Sequence, residues 1–443
     1  MPLTIEKLIY GGDGLARLPA DERGRGKAVF VPFVLAGEKI EAALTEQKPG
    51  FARARVETIV EASPHRIQPG CPHFAACGGC HYQHASYEHQ LEIKKEILRE
   101  NLRRMAKLEL ACEIEMHPSP PWNYRNRSRL QVQGRPEFVA GYFKLASHEL
   151  LPVEECPISS PLINRGIAAL WQTGRAGMVA EGIYEVEFSS NAEDTQLLVE
   201  VSCSAAARRA AVKAWAEELR ALLPEIAGVA AFREAQARAP SKQPDEFLVS
   251  LGEQHLTYKT QSASYRVSAG AFFQTNRYLT DELVKIVTQG RSGELVLDLY
   301  AGVGLFSTVL VRDFRHVVSV EASQTAASDL KYNLPSNGEV IQATTEQYLG
   351  HSLSKGWSGK GTVLPHKPDL AVVDPPRSGL GESVARSLAS VGAPRITYVA
   401  CDPATLARDL VPLLGAGYRV ERAHLVDLFP QTYHLETVLH LVR

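Results

Sequence analysis

No stretch of about 18 apolar residues occurs in the 443-residue sequence, and MPLTIEKLIY has no basic segment leading into an apolar run and a small-residue cleavage site. Neither a membrane-spanning helix nor an export leader is expected, and a cytoplasmic protein is. Charge of one sign is also lacking: 48 Lys and Arg against 50 Asp and Glu leave a formal net charge of -2. The overall balance therefore gives no support to a nucleic-acid partner, which local basic clusters would have to hold. Internal repeats and low-complexity tracts are absent. Cysteines number only seven, with Cys71, Cys77 and Cys80 crowded together and Cys112, Cys156, Cys203 and Cys401 scattered. In a reducing compartment such crowding points to metal ligation rather than disulfides.

What is present is an ordinary globular composition, 45% hydrophobic and 22% charged, which excludes a disordered or fibrous chain. The length calls for two or three domains with separate cores. Residues 1–62 read as short strands and turns (LTIEKLIY, GGDGLARL, KAVFVPFV, KIEAALTEQ, FARARVETIVE), the pattern of a small β-barrel. Residues 63–265 form a central α+β region, strand-rich beyond 124, with one alanine-rich helix near 205–222. A helix at 86–109 has an apolar stripe of Leu91, Ile93, Ile97, Leu98, Leu102 and Met105 that can pack on the following domain. Its other face carries Lys94, Lys95, Arg99, Arg103 and Arg104, either as a solvated face or as an RNA-facing one. In YRNRSRLQV, Arg125, Arg127 and Arg129 alternate as on one strand face, forming either a phosphate track or a charged sheet surface. Residues 266–443 alternate strands and helices, the signature of a doubly wound α/β sheet, and SKGWSGKGTVLPHKP at 354–368 reads as an exposed loop.

The α/β region contains the chemistry. In LVLDLYAGVGLFS an apolar strand runs into Gly302-x-Gly304 and then a helical pattern, so a ligand can approach bare backbone. Glu321 ends the next strand, where a carboxylate can accept from both ribose hydroxyls of a nucleoside cofactor. A nicotinamide cofactor would satisfy the same pair, but the full GxGxxG is missing. At a later strand end stands Asp374-Pro375-Pro376-Arg377, a stretch similar to that of many methyltransferases acting on nucleobases or amides; a plain proline-rich turn is the other reading. Cys401 follows the apolar strand RITYVA and precedes a helix start at DPATLARDL, so it is either an inert buried thiol or a nucleophile at a strand end. A helix start there offers amide dipoles to a thiolate.

VACDPATLARDL, DPPRSG and FPQTYHLETV closely resemble the RNA uracil-5-methyltransferases, and the resemblance spans nearly the whole chain. It implies a Rossmann-like class I methyltransferase domain in which Cys401 is the nucleophile and Glu436, in His434-Leu435-Glu436, the general base. It further implies S-adenosyl-L-methionine as cofactor, held by Gln274, Tyr300, Gly302, Gly304, Leu305, Glu321 and Asp374. Two positions depart from the family pattern: Asp402 stands where Asn is common, and Ala301 where Cys is. Asp402 adds a negative charge that is expected to oppose a Cys401 thiolate.

By residue chemistry alone, Cys71-x5-Cys77-x2-Cys80 with Cys156 downstream suits iron–sulfur or zinc, with His73, His81 and His84 as further zinc candidates. The spacing differs from the CxxxCxxC of radical enzymes. The resemblance implies a closed 4Fe-4S cluster on these four cysteines that shapes the RNA-binding region and takes no part in methyl transfer. It likewise implies that the amino-terminal barrel is TRAM-like, an RNA-binding module. This combination implies the 23S ribosomal RNA branch, with the T-loop uridine of transfer RNA as the alternative substrate and a non-catalytic iron–sulfur RNA-binding protein as the alternative class. No membrane partner is expected, and a monomer is.

Overall fold

The computed structural model describes residues 1–19, 26–233, 246–354 and 367–443. Most of the loop expected at 354–368 lies outside them. None of the described helices is long and apolar enough to cross a membrane.

The first six strands form one sheet in the order Pro2–Thr4, Lys39–Gln47, Phe51–Glu61, Ala28–Val31, Gly14–Arg17, Lys7–Leu8. The chain at 2–8 bonds to both ends of that sheet, with Ile5 N donating to the Glu38 carbonyl and Glu6 N to the Leu15 carbonyl, which closes the barrel. Its core is small and β-branched, including Ile5, Val29, Val31, Val34 and Ile40. Leu8 and Leu35 leave that core and join another, described below. Buried Glu38 accepts from Leu35 N, Ser63 N and Arg66, pinning the chain as it exits the barrel.

The next helix runs Tyr87–Asn101 and ends in a π-turn at Leu102–Ala106. It buries Gln90, Ile93, Lys94, Ile97 and Leu98, the i, i+3, i+4, i+7 spacing of one helix face. Lys94 therefore does not lie on the basic outer face. Fully buried, it donates to Asp427 Oδ1 at 2.6 Å and to the Phe429 carbonyl at 2.9 Å. Met105, expected in the apolar stripe, is exposed.

The central sheet has seven strands in the order Leu150–Pro152, Val139–Phe143, Arg127–Gln133, Ile183–Ser190, Leu197–Cys203, Ile226–Arg233, Glu246–Gly252. Helix Arg209–Leu222 is the crossover between its one parallel pair. A second helix, Pro161–Arg175, was not expected. Its signal was present: Ser160 caps the Ile163 amide, Pro161 occupies the first turn, and Leu162, Ile163, Ile167, Leu170 and Trp171 share the buried face.

The carboxy-terminal sheet has eight strands in the order Gly338–Gln342, Phe314–Glu321, Gly293–Leu299, Leu370–Val373, Arg395–Ala400, Glu436–Val442, Arg419–Val426, Ile114–His117. Neighbours among the first five are parallel, and Glu436–Val442 is antiparallel to both of its neighbours. The doubly wound α/β reading holds, and elements from both sides of position 265 contribute to this sheet and its packing. Strand Ile114–His117 completes this sheet from the middle of the sequence. Strand Ser264–Ser268, which spans residue 265, docks on helix Gln324–Asn333 through Ser268 N to Asp329 and Arg266 N to Asn333. Leu8, Leu35, Ile93, Ile97 and Leu98 pack in one core with Leu297, Tyr398 and Leu439 of this sheet.

Candidate active site

Three strand ends converge at the edge of the parallel part of the sheet. Ala400 pairs antiparallel with Thr437, so the next step places Cys401 opposite Glu436. Val373 pairs with Tyr398 on the other side, which brings Asp374 alongside. Glu436 is 3% exposed and Cys401 is half-buried. Burial, then the Glu436 and Asp374 carboxyls, push the Cys401 thiol up to about 12, while Arg377 opposes them. Burial and then Asp374 lift the Glu436 carboxyl well above the ordinary range. Asp374 is itself raised to about 7, by burial and then by Asp298.

Asp402 has a local task that its charge alone did not reveal. It caps helix Pro403–Gly415, accepting from Ala404 N at 2.9 Å and Thr405 N at 2.8 Å. The first-turn amides expected to favour a Cys401 thiolate are thus engaged by Asp402, which ranks behind Glu436 and Asp374 among the groups opposing that thiolate. The same helix fixes the loop after Asp374: Asp409 accepts from Leu380 N and Tyr398 Oη, Thr405 Oγ1 donates to the Arg377 carbonyl, and Arg408 to that of Ser378.

Around these strand ends lies an aromatic shell that sequence reading missed. Tyr10, from the barrel, donates to the Cys401 carbonyl at 3.4 Å and packs edge-on against Tyr433 at 5.4 Å between centroids. His81 meets Tyr433 at 4.6 Å, and Tyr433 meets His434 at 4.3 Å. Arg377 Nη2 lies 3.3 Å from His434 Nε2, and burial with Arg377 holds that imidazole down at about 3, neutral. Arg377 and His434 stood inside quoted motifs. Tyr10, nearly four hundred residues from Cys401, had no local signal.

The glycine turn is built as a cradle. Gly302 has φ +56° and open space where a Cβ would point, whereas at Gly304 (φ +93°) a Cβ would stand 2.7 Å from Leu330. The first glycine leaves room for a ligand, and the second lets helix Gln324–Asn333 pack closely. Glu321 accepts from Gly302 N at 2.8 Å and Ser323 N at 2.6 Å, which orients its carboxylate over the turn. Tyr300, at φ +62°, is half-buried beside it. Leu305 turns its side chain into the core and offers its carbonyl to Tyr265 Oη. Gln274 is buried at the seam with the central sheet, in a small cleft with Asn126 and Ser189.

Cys71, Cys77, Cys80 and Cys156 line one cavity of about 590 Å³, together with His73, Arg125 and Tyr142. Burial raises the Cys71 and Cys77 thiols and pushes Cys80 up to about 12, and in all three the Cys156 sulfur adds to the rise. Four thiolates on one zinc stand within about 4 Å of one another. No three of these sulfurs lie within 4.8 Å of each other; among the described residues only Glu115, His117 and His424 meet that limit. His81 and His84 do not line the cavity: His81 joins the aromatic shell, and His84 faces the Val34 carbonyl at 3.3 Å.

Two members of the arginine row have an acidic partner on the sheet, and Arg129 stays half-exposed. Arg127 and Arg129 both bond Glu187 on the neighbouring strand, Arg129 at 2.8 Å, and Arg127 also donates to the Ala271 carbonyl. Their alternation placed them on one face, where an acidic strand already meets them. Arg125 turns to the Arg127 carbonyl and the cysteine cavity.

The TRAM domain family matches residues 1–56, and the tRNA (Uracil-5-)-methyltransferase family matches residues 86–443. An uncharacterized RNA methyltransferase of Aquifex aeolicus is 33% identical over 446 residues, covering 99% of this chain and 97% of that protein. Another, from Halalkalibacterium halodurans, is 30% identical over 465 residues, covering 100% and 96%. Among solved structures, the tRNA (uracil-54, C5)-methyltransferase of Pyrococcus abyssi, in complex with S-adenosyl-L-homocysteine, has the same fold over all of both chains, with a TM-score of 0.73 at 23% identity. The chain is an RNA methyltransferase that belongs to the tRNA (uracil-5-)-methyltransferase family and carries a TRAM domain at residues 1–56.

Proposed function

We propose that this protein methylates carbon 5 of a uridine in RNA, through covalent addition of Cys401 to the base. The observation that carries the reading is the antiparallel register that sets Cys401 across from Glu436, with Asp374 on the adjoining strand end. Bound S-adenosylmethionine supplies an electrophilic methyl group on a sulfonium. Glu321 and the Gly302 turn would hold its nucleoside end, with Tyr300, Gly304, Leu305, Gln274 and Asp374 around it. Uracil C5 is too poor a nucleophile to take that methyl group unaided. Cys401 Sγ adds to C6 as a thiolate, which leaves C5 electron-rich as part of an enolate. After C5 is methylated, Glu436 removes the remaining C5 proton, the Sγ–C6 bond breaks, and the aromatic ring returns. The target base must leave its stack to reach a half-buried thiol. Tyr10, Tyr433 and His434 are the aromatic rings grouped near that thiol.

Ribosomal RNA, the 23S molecule in particular, is the substrate we favour, because the TRAM domain and the four-cysteine cavity occur together. A transfer RNA uridine is the alternative. The cysteine cavity suits a 4Fe-4S cluster: four cysteines line it, its volume is ample, and ligation would take up the thiols of Cys71, Cys77 and Cys80 as thiolates that burial otherwise disfavours. Cys71, Cys77, Cys80 and Cys156 would hold the cluster as a structural clasp. The enzyme is proposed to act as a cytoplasmic monomer.

RNA containing 5-fluorouridine tests the mechanism, since fluorine at C5 cannot leave as a proton. The protein should form a denaturant-resistant adduct with it, and Cys401→Ala should form none. An adduct retained by that variant would exclude Cys401. Mapping 5-methyluridine in ribosomal and transfer RNA after gene deletion decides the substrate.

A further inference from the structure

The edge strand Ile114–His117 and its parallel neighbour Arg419–Val426 carry a cluster that methyl transfer does not use. Glu115 pairs with His424 and His117 with Val426, so Glu115, His117 and His424 share one face of the sheet. His117 Nε2 stands 3.0 Å from His424 Nδ1, and that atom stands 3.6 Å from Glu115 Oε2. A tetrahedral zinc with bonds of about 2.1 Å wants donor atoms roughly 3.4 Å apart, and the observed separations bracket that value. We infer that Glu115, His117 and His424 form a zinc site with its fourth position open to water. Two imidazoles and one carboxylate are a donor set that suits zinc over magnesium or calcium.

Two further observations point to a cation between the rings. The other nitrogen of His117, Nδ1, lies 3.1 Å from Glu282 Oε1 on helix Thr280–Thr288. A carboxylate there takes the Nδ1 hydrogen and leaves Nε2 bare toward the cluster, the tautomer that metal-bound histidines adopt. His424 is 1% exposed, and its Nε2 has no hydrogen-bond partner among the described residues. A hydrogen on His424 Nδ1, donated to His117, would leave that Nε2 as a buried lone pair with no donor. A metal on Nδ1 moves the hydrogen to Nε2, next to the perpendicular ring of His440 at 5.4 Å between centroids. Arg422 competes for the carboxylate, at 3.1 Å from Glu115 Oε1. Its side chain is half-exposed and can shift to that oxygen alone. Zinc here staples the strand contributed from the middle of the chain to the strand that leads into Asp427.

Cobalt(II) is the probe, titrated into the full-length protein and then displaced by zinc. One equivalent should bind with the visible bands of a four-coordinate nitrogen and oxygen site, without the near-ultraviolet thiolate bands that the cysteine cavity would give. His117→Gln should weaken that binding at least about 100-fold, and Glu282→Gln by about 10–100-fold, acting through His117. Glu115→Gln, at a half-exposed position, provides a second ligand variant if His117→Gln does not fold. Zinc should raise the unfolding temperature of the wild type but not of a ligand variant. Cobalt uptake that is absent, unchanged in the ligand variants, or marked only by thiolate bands would overturn the site.

Discussion

Cys401 and Cys80 are both thiols that burial pushes up to about 12, yet they keep different company. Next to Cys80, the groups that add to the rise are other thiols, Cys156 above all, with Cys77 and Cys71 behind it. Such a set loses its mutual repulsion once a multivalent cation takes all four sulfurs. Next to Cys401 the opposing groups are carboxyls, Glu436 and Asp374, and a guanidinium, Arg377, pulls the other way. In the proposed reaction the Cys401 thiolate is needed only when a base and a methyl donor are present, so no resident metal ion is called for there. On the proposed function, the same burial would serve lasting ligation in one region and transient attack in the other.

The sharpest break of this contrast is Cys401→Ala, for which methylation should fall at least about 10⁴-fold while iron content and visible absorbance stay at wild-type levels. Glu436→Gln comes next. Turnover should drop about 10²–10⁴-fold, with the methylated RNA–protein adduct accumulating on denaturing gels, and fast release of product by this variant would remove Glu436 as the base. Cys80→Ser reverses the pattern: iron and colour should be lost from anaerobically purified protein, while some adduct formation at Cys401 survives. A colourless, zinc-loaded wild type would end the cluster reading. The mildest effect is on the pH profile. Asp374, raised to about 7, and Glu436, lifted well above the ordinary carboxylate range, must both ionise, and the Cys401 thiol must lose its proton. Each of these groups is held in its protonated form, so kcat/KM should climb by up to about tenfold per pH unit for every one of them still protonated, steeply below about 7 and less steeply above it. A profile that falls across this range would contradict the arrangement.

Cys401 and Glu436 stood out only through the resemblance of the segments around them, whereas the glycine turn and the crowding of Cys71, Cys77 and Cys80 were legible because each belongs to a short segment whose residue types carry the chemistry. The α/β alternation was legible for the same reason, being a matter of local period. What escaped depends on pairing across the chain. Lys94 was placed outside by its charge, although the spacing of Gln90, Ile93 and Ile97 put it inside; its partner Asp427 lies 333 residues away. Arg127 and Arg129 share a counter-ion, Glu187, that only the strand register supplies. Asp402 is the exception, since its cap is local: the helix start at DPATLARDL was legible, and the amides it engages are those of Ala404 and Thr405, two and three residues on.

Leu8 and Leu35, two barrel residues that pack with Leu297 and Leu439, carry a consequence for folding. A module that lends side chains to its neighbour's core does not melt by itself, since separating the two would expose apolar surface on both. The barrel and the eight-stranded sheet should therefore unfold in one cooperative transition. Residues 1–61 cut from the rest would leave an apolar scar on the fragment that holds Cys401, and that fragment would be prone to self-association.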